Sequence, residues 1–568
     1  MKQRIKYRKY EESMSEAAKS KRTSNFIIQG SILAAASIIC RLIGVVYRVP
    51  LMNIVGEETM GVYSAAFTIY SIVLLISSLG IPTAVSRMVA AKAAVRKYKD
   101  SNRIFKGALL FALIVGTCAA LVMYFGAGFF AEKALNMPTA KYAIRMLSPT
   151  VMVMAFLGVY RGYYQGLGTM IPSALSQIVE QIFNAVISIA AAYYLYAEGA
   201  KADRILNTDI YAVARGAEGA TVGTGVGALV ALILCMLIYL LYRRVLKRQM
   251  RRDKSRHVES YLSVWKTLVL ILLPIIFNSA IYNISSLIDN SIFGHYTEFV
   301  GITQKEYQGI WGCYEGKYHL LTHVPISFAT GLAASIVPAL TRAVANQNHT
   351  QVANRINTSL RFTMLIAIPS CVGLAVLADP IVNLLFPGNE YNSLAVNLLW
   401  IGCITVVLYS WSTVTNAVLQ GLNRMNVPAR NAFIALVSHV VILAVCLWVF
   451  RLGIQGVVLA DITFGLTMVV LNMISISRYV KYRQDMMKNY VLPLISSLIM
   501  GAFAFGVYTL LIKLVKRNWL ATVISIIVAV IVYGVLLLLT KCVDEVDLYS
   551  MPKGKTVVNI AKKLHLLK

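Results

Sequence analysis

The chain has 568 residues, of which 58% are hydrophobic and 14% charged, and its formal charge is +29. So apolar a composition excludes an ordinary soluble enzyme and indicates a polytopic helical membrane protein. The basic residues sit in short blocks between apolar runs, so they read as topology-setting loop charge, and no nucleic-acid partner is expected.

The first 24 residues, MKQRIKYRKYEESMSEAAKSKRTS, are basic and lead into an apolar run too long for a signal-peptide core; they read as a cytoplasmic tail. That run, 25–49, is long enough to cross a bilayer, yet within IICRLIGVVYRVPL it carries Arg41 and Arg48. An arginine at mid-membrane costs roughly 2.5 to 3.5 kcal/mol on insertion scales, so it needs a cavity or a partner. Seven positions apart on a helix, the two differ by about 20° around the axis and roughly 10 Å along it. Their guanidinium groups can converge on one anion. Gly44 lies between them on the same stripe, where a missing side chain lets a ligand or a neighbouring helix come close. Arg48, next to Pro50, is also placed to snorkel to the outer interface, whereas Arg41 lies about 24 Å from the inner end.

Further spanning runs follow at 61–87, 104–130, 142–166, 172–197 and 220–244. The fifth carries Glu180 and Asn184; a carboxylate in hydrocarbon is a site candidate by default, with an internal ion pair to Arg161 as the alternative. The longest basic block, RRVLKRQMRRDKSR at 243–256, then divides the chain. A second set of runs lies at 264–294, 316–341, 358–379, 392–421, 428–449, 454–478, 489–513 and 518–541. Asp289 in the seventh run and His319 in the eighth are polar candidates, as is Asp461 in the twelfth, for which a cap or bundle hydrogen bond is the alternative.

Lysines and arginines concentrate on alternate connections, which supports fourteen helices with both termini cytoplasmic. The halves echo each other: QGLGTMIPSA at 165–174 and QGLNRMNVPA at 420–429 join the fourth and fifth helices of each half, about 255 residues apart. A weaker echo links GVYSAAF at 61 with GCYEGKY at 312. The expected architecture is an all-α polytopic membrane protein with fourteen transmembrane helices. It comprises a cytoplasmic tail (1–24), a six-helix lobe (25–244), a basic linker (245–263), a second six-helix lobe (264–478), a C-terminal helix pair (489–541) and a cytoplasmic tail (542–568). The lobes are related by a parallel pseudo-two-fold repeat, and such transporters hold substrate between their halves and rock to alternate access.

No enzyme constellation occurs: the seven histidines are scattered, and HExxH, GxSxG and Walker loops are absent. The eight cysteines occur singly, mostly in apolar runs, and read as core residues rather than disulfides or metal ligands. No metal or cofactor is expected.

The chain resembles the polysaccharide-exporter branch of the multidrug/oligosaccharidyl-lipid/polysaccharide (MOP) superfamily, the group of the MurJ and SpoVB/YtgP lipid flippases. The resemblance covers 25–541 and rests on RLIGVVYR, SSLGIPTAVSRMVA, YRGYYQGLGTMIPSALSQIVEQI, LIDNSIFG and VPISFATGLAASIVPALTR. It implies two lobes around a cavity that binds a lipid-linked sugar through its diphosphate and moves it to the outer leaflet of a bacterial cell membrane. The cargo would be the peptidoglycan precursor lipid II or another undecaprenyl-diphosphate-linked sugar. Lipid-linked oligosaccharide and membrane lipids are thus expected partners, cell-wall synthesis enzymes are further candidates, and a coupling ion or the membrane potential is left open. Arg41 and Arg48 map onto the family's first-helix cavity arginines and Asp289 onto its seventh-helix acid. Departures are the second-helix stretch IYSIVLLISS, which has no arginine, Lys317 and His319 in place of an eighth-helix arginine, and Asn184 where one branch commonly has arginine. A cation-coupled multidrug exporter and a non-transporting scaffold for wall or spore-cortex synthesis stand as alternatives; the first-helix arginines oppose the former.

Overall fold

The computed structural model describes residues 2–253, 255, 258–480, 485–540 and 542, and for 2–31 and positions 34, 274, 277–279, 281 and 282 the backbone alone. The expected tail at 542–568 lies outside the described residues apart from Cys542, as do positions 254, 256 and 257 of the expected linker.

A peptide group in hydrocarbon finds no water to bond, so each apolar run closes its own backbone ladder. Among the described residues the structure is helical, with no strand. The main helices are α1 (Lys2–Leu74), α2 (Ile81–Ala94), α3 (Tyr98–Phe125), α4 (Ala140–Gly166), α5 (Ile171–Leu206), α6 (Tyr211–Arg252) and α7 (Tyr261–Val300). They continue with α8 (Gln304–Cys313), α9 (Leu320–Ala345), α10 (His349–Val376), α11 (Asn392–Gly402), α12 (Ile404–Gly421), α13 (Asn426–Ala444), α14 (Ile454–Val480), α15 (Leu492–Val515) and α16 (Asn518–Leu539). Eleven helices among the described residues are long and apolar enough to cross a membrane, or twelve counting α11 and α12 as one span bent by 52°. The first such span, Ala35–Ala94, holds two of the expected runs, and α7 contains a third whose central side chains are outside the description.

The turn between the first two runs is a single residue. Gly56 has φ 78° and ψ 171°, a conformation open to glycine and strained for any side chain. Just beyond it the two halves of the chain touch. A β-carbon at Gly312 would fall 1.8 Å from the Glu57 carbonyl oxygen, and one at Gly61 would fall 2.1 Å from that of Gln308. The glycines of the weak GVYSAAF and GCYEGKY echo therefore let α1 and α8 cross backbone to backbone.

The stronger echo is matched bond for bond. Leu167, Gly168 and Thr169 donate to the carbonyls of Tyr163, Gln165 and Tyr164, while Leu422, Asn423 and Arg424 donate to those of Val418, Gln420 and Leu419. Gly168 and Asn423 both have positive φ, at 88° and 61°.

At the end of the bundle holding these turns each half has its own core, one around Val85, Phe105, Tyr163 and Leu268, the other around Leu340, Ile356, Val414 and Ile476. At the opposite end a single core runs through both, joining Leu51, Met60, Tyr63 and Leu147 to Tyr307, Trp311, Phe386 and Leu398. A cavity between the halves therefore narrows toward the shared core.

Helix α7 belongs to both halves. Its beginning is fastened to α3, with the Trp265 indole donating to the Gly107 carbonyl at 2.9 Å and Arg103 over the Tyr261 ring at 4.5 Å. Its later part meets α13 through Asp289 and His439, 2.5 Å apart. The segment before it is pinned by Asp253, which accepts from the Lys99 backbone N–H at 2.8 Å and the Ser255 hydroxyl at 2.6 Å. Burial would raise that carboxyl, but these hydrogen bonds hold it down at about 2, so it is ionised at neutral pH.

Candidate functional site

Helix α1 presents Arg41, Gly44 and Arg48 to one cavity of about 480 Å³ between the halves, as their spacing requires. Gly44 faces open space: no atom lies within 4 Å of where its β-carbon would be, so the glycine widens the cavity and does not seat a neighbouring helix. Glu180 and Asn184 of α5 line the same cavity, together with Glu315, His319 and His323 from the other half. An adjoining space of about 330 Å³ shares Arg48, Glu315, His319 and His323 and reaches Asp289, Tyr409 and Asp461.

The acids of this region have partners. Glu180 accepts from Arg161 at 2.7 Å, and Arg161 also donates to the Ser176 hydroxyl at 2.8 Å. That is the internal pair considered above; Arg161 is buried between α4 and α5 and does not line the cavity, whereas Glu180 does. Glu315 meets His319 Nδ1 at 3.3 Å, and the other ring nitrogen of His319 lies 3.5 Å from Asp461. Tyr314 donates to Asp461 at 2.6 Å. By contrast, no ion pair reaches Arg41 or Arg48 among the described residues, and both line the cavity, Arg48 beside the Tyr47 and Tyr63 hydroxyls.

Lys317 is placed differently from its neighbour His319. It is fully buried in the shared core, 2.6 Å from Glu57 and 2.7 Å from Asn392, and lines neither space. Two positions apart on their helix, the residues point to opposite sides, Lys317 into the seal and His319 into the cavity.

Asp289, His439 and Asp461 form a buried cluster whose ligand atoms lie within 4.8 Å of one another. Two carboxylates and an imidazole at that spacing can hold a cation or share a proton between them. His439 was not separable by sequence from the other scattered histidines, and neither Glu57 nor Asn392 carries a motif. Glu315 and His323 did leave a signal, since Glu315, His319 and His323 recur every fourth residue and so share a helix face.

Comparison with known proteins matches residues 28–344 to the family model described as polysaccharide biosynthesis protein, and residues 321–445 to the MatE model. The chain is 25% identical over 498 residues to the lipid II flippase MurJ of Bacillus subtilis, covering 84% of this chain and 88% of that one. It is 23% identical over 529 residues to stage V sporulation protein B of the same organism, covering 92% and 96%. In fold it is similar to a lipid II flippase MurJ structure in an inward closed conformation, with a TM-score of 0.63 at 15% identity over 89% of this chain and 97% of that one.

Proposed function

The chain belongs to the polysaccharide biosynthesis protein family of the MOP superfamily, and on that premise we propose that it is a flippase for a lipid-linked sugar, gripping the diphosphate between Arg41 and Arg48. The observation that carries this reading is that both arginines open on one cavity with no acid committed to either, while the acids around them are paired. Two phosphates and two guanidinium forks form paired, charge-assisted hydrogen bonds, strengthened where water is scarce. His319 and His323, from the second half, face the same volume and would contact the headgroup from across it.

On this reading the shared core is the closed external gate, the separate cores flank a cytoplasmic opening, and cargo moves when the halves rock. The Asp289, His439 and Asp461 cluster would supply the coupling, its charge state or bound cation biasing one arrangement. Lipid II is the favoured cargo, supported by the similarity to MurJ; the similarity to stage V sporulation protein B keeps a spore-wall intermediate beside it.

The test is leaflet exposure of labelled undecaprenyl-diphosphate sugars in liposomes holding the purified protein. Accelerated exposure that depends on Arg41 supports the reading; exposure no faster than in empty liposomes removes it. The MatE match over 321–445 favours a second reading, a cation-coupled drug exporter, which instead predicts resistance to cationic drugs on overexpression.

A further inference from the structure

The second half holds a recess of different character from the arginine-lined cavity. Helix α12 carries Tyr409, Ser412, Thr413, Asn416 and Gln420 at the spacing of one helix face, and all five line a recess of about 400 Å³ together with Phe464. No lysine, arginine, aspartate or glutamate lines it. The recess adjoins the space that reaches the cluster described above, with Tyr409 lining both.

One donor on this stripe is held in place from behind. Asn431 donates to the Asn472 side-chain oxygen at 2.9 Å, and Asn472 donates in turn to the Asn416 oxygen at 2.8 Å and the Thr415 hydroxyl at 3.0 Å. Asn431 and Asn472 are fully buried. This amide chain fixes which way round the Asn416 amide sits: its oxygen is spoken for, and its NH2 has no partner among the described residues. The Gln420 side chain, one turn further on, likewise makes no hydrogen bond among the described residues and lines the recess. Beside them the rings of Tyr409 and Phe464 stack at 6.0 Å and 20°, an apolar plate next to polar donors and acceptors.

Oriented amides, hydroxyls and an aromatic plate, free of charge, suit a ring bearing hydroxyl and acetamido groups and have nothing to offer a phosphate. We propose that this α12 stripe is the saccharide subsite: Asn416 and Gln420 hydrogen-bond the first sugar of the lipid-linked substrate while the arginines of α1 hold its diphosphate. The assignment rests on the flippase reading and adds to it the part of the substrate that the basic wall does not read. Preorganisation by the buried amides means the donor is ordered before the sugar arrives, so little of the bond is lost to ordering.

The experiment compares binding of undecaprenyl diphosphate and undecaprenyl-diphospho-N-acetylglucosamine to the full-length protein in nanodiscs. Two neutral hydrogen bonds correspond to about tenfold tighter binding of the glycosylated lipid by the wild type. Asn416→Asp keeps the acceptor that Asn472 needs but removes the donor, and Gln420→Leu gives up no hydrogen bond among the described residues. Together they should abolish the preference for the glycosylated lipid, while Gln420→Leu, which adds no charge, should leave undecaprenyl diphosphate binding unchanged. If the double variant loses both lipids, Gln420→Leu alone decides, with a preference reduced about threefold expected. No preference in the wild type, or a preference undiminished in Gln420→Leu, overturns the subsite. If undecaprenyl diphosphate itself does not bind, or binds equally well to Arg41→Ala, the flippase reading has failed first.

Discussion

Gly61 and Gly312 occupy matching positions in the two halves and meet each other: a β-carbon on Gly61 would lie 3.0 Å from the Gly312 nitrogen, and one on Gly312 would lie 2.8 Å from the Gly61 nitrogen. The obstacle is backbone on both sides, so no side chain can swing away to make room. Gly312→Ala should force α1 and α8 apart at the shared core. Cys313, now buried with its thiol on the Tyr391 carbonyl, should then react several-fold faster with a maleimide, read by mass spectrometry. Unchanged Cys313 reactivity in a folded Gly312→Ala protein would contradict the packing.

The Lys317 pair with Glu57 lies one turn from that crossing and ties the halves in the same place. Removing one partner leaves an uncompensated buried charge, costing about 3 to 5 kcal/mol, whereas removing both costs far less. Lys317→Met and Glu57→Gln should therefore each lower the melting temperature markedly in detergent, and the double variant should recover much of the loss. Additive losses would mean the two residues do not depend on each other.

Arg41→Ala should abolish complementation of a flippase-depleted strain, with membrane levels checked by blotting. Arg41→Lys keeps the charge but loses the planar fork and should be visibly impaired, and Arg48→Lys likewise, since Arg48 lines both spaces between the halves. Arg41 has no ion-pair partner among the described residues, so a loss of function without loss of protein points to the cargo. A well-expressed Arg41→Ala that complements fully would end the diphosphate clamp.

Asp289→Asn replaces a carboxylate that touches His439 and faces the inter-half space. Flipping should slow and lose its response to imposed ion gradients or membrane potential, while the protein still inserts and folds. A response identical to wild type would separate the cluster from coupling.

Sidedness has a direct test. Ile205, 82% exposed at the end of α5, and Arg248, exposed near the end of α6, lie on connections assigned to opposite sides by their lysine and arginine content. In intact cells a membrane-impermeant maleimide should label Ile205→Cys and spare Arg248→Cys; the reverse would invert the topology.

Much of this was legible because membrane folding leaves strong marks. Among the described residues every expected apolar run is mostly helical, and the spacing of Arg41 and Arg48 puts both on one wall. The internal repeat was legible too, since QGLG and QGLN impose the same turn. What sequence could not give were partners supplied from far along the chain. Lys317 reads like a cavity cation until Glu57, 260 positions away, is seen to bury it. His439 acquires meaning only once Asp289 stands opposite it. Lys317 and His319, two positions apart, point to opposite sides of their helix, so both could not line one cavity wall.

Helix α7, gripped by one half near Leu272 and by the other near Asp289, behaves as a beam clamped at both ends. Those 17 residues span about 25 Å at helical rise. Helices curve gently with radii of roughly 60 to 100 Å, so a beam of this length absorbs a rotation of only about 15 to 25°. Under the rocking proposed above, movement within that angle would be elastic, with the bent rod storing energy that returns the halves. A larger swing would have to break the rod, and Pro274, which contributes no backbone N–H to the ladder, stands beside the first clamp. The proposed rocking would thus be limited by the stiffness of one helix as well as by the contacts between the halves.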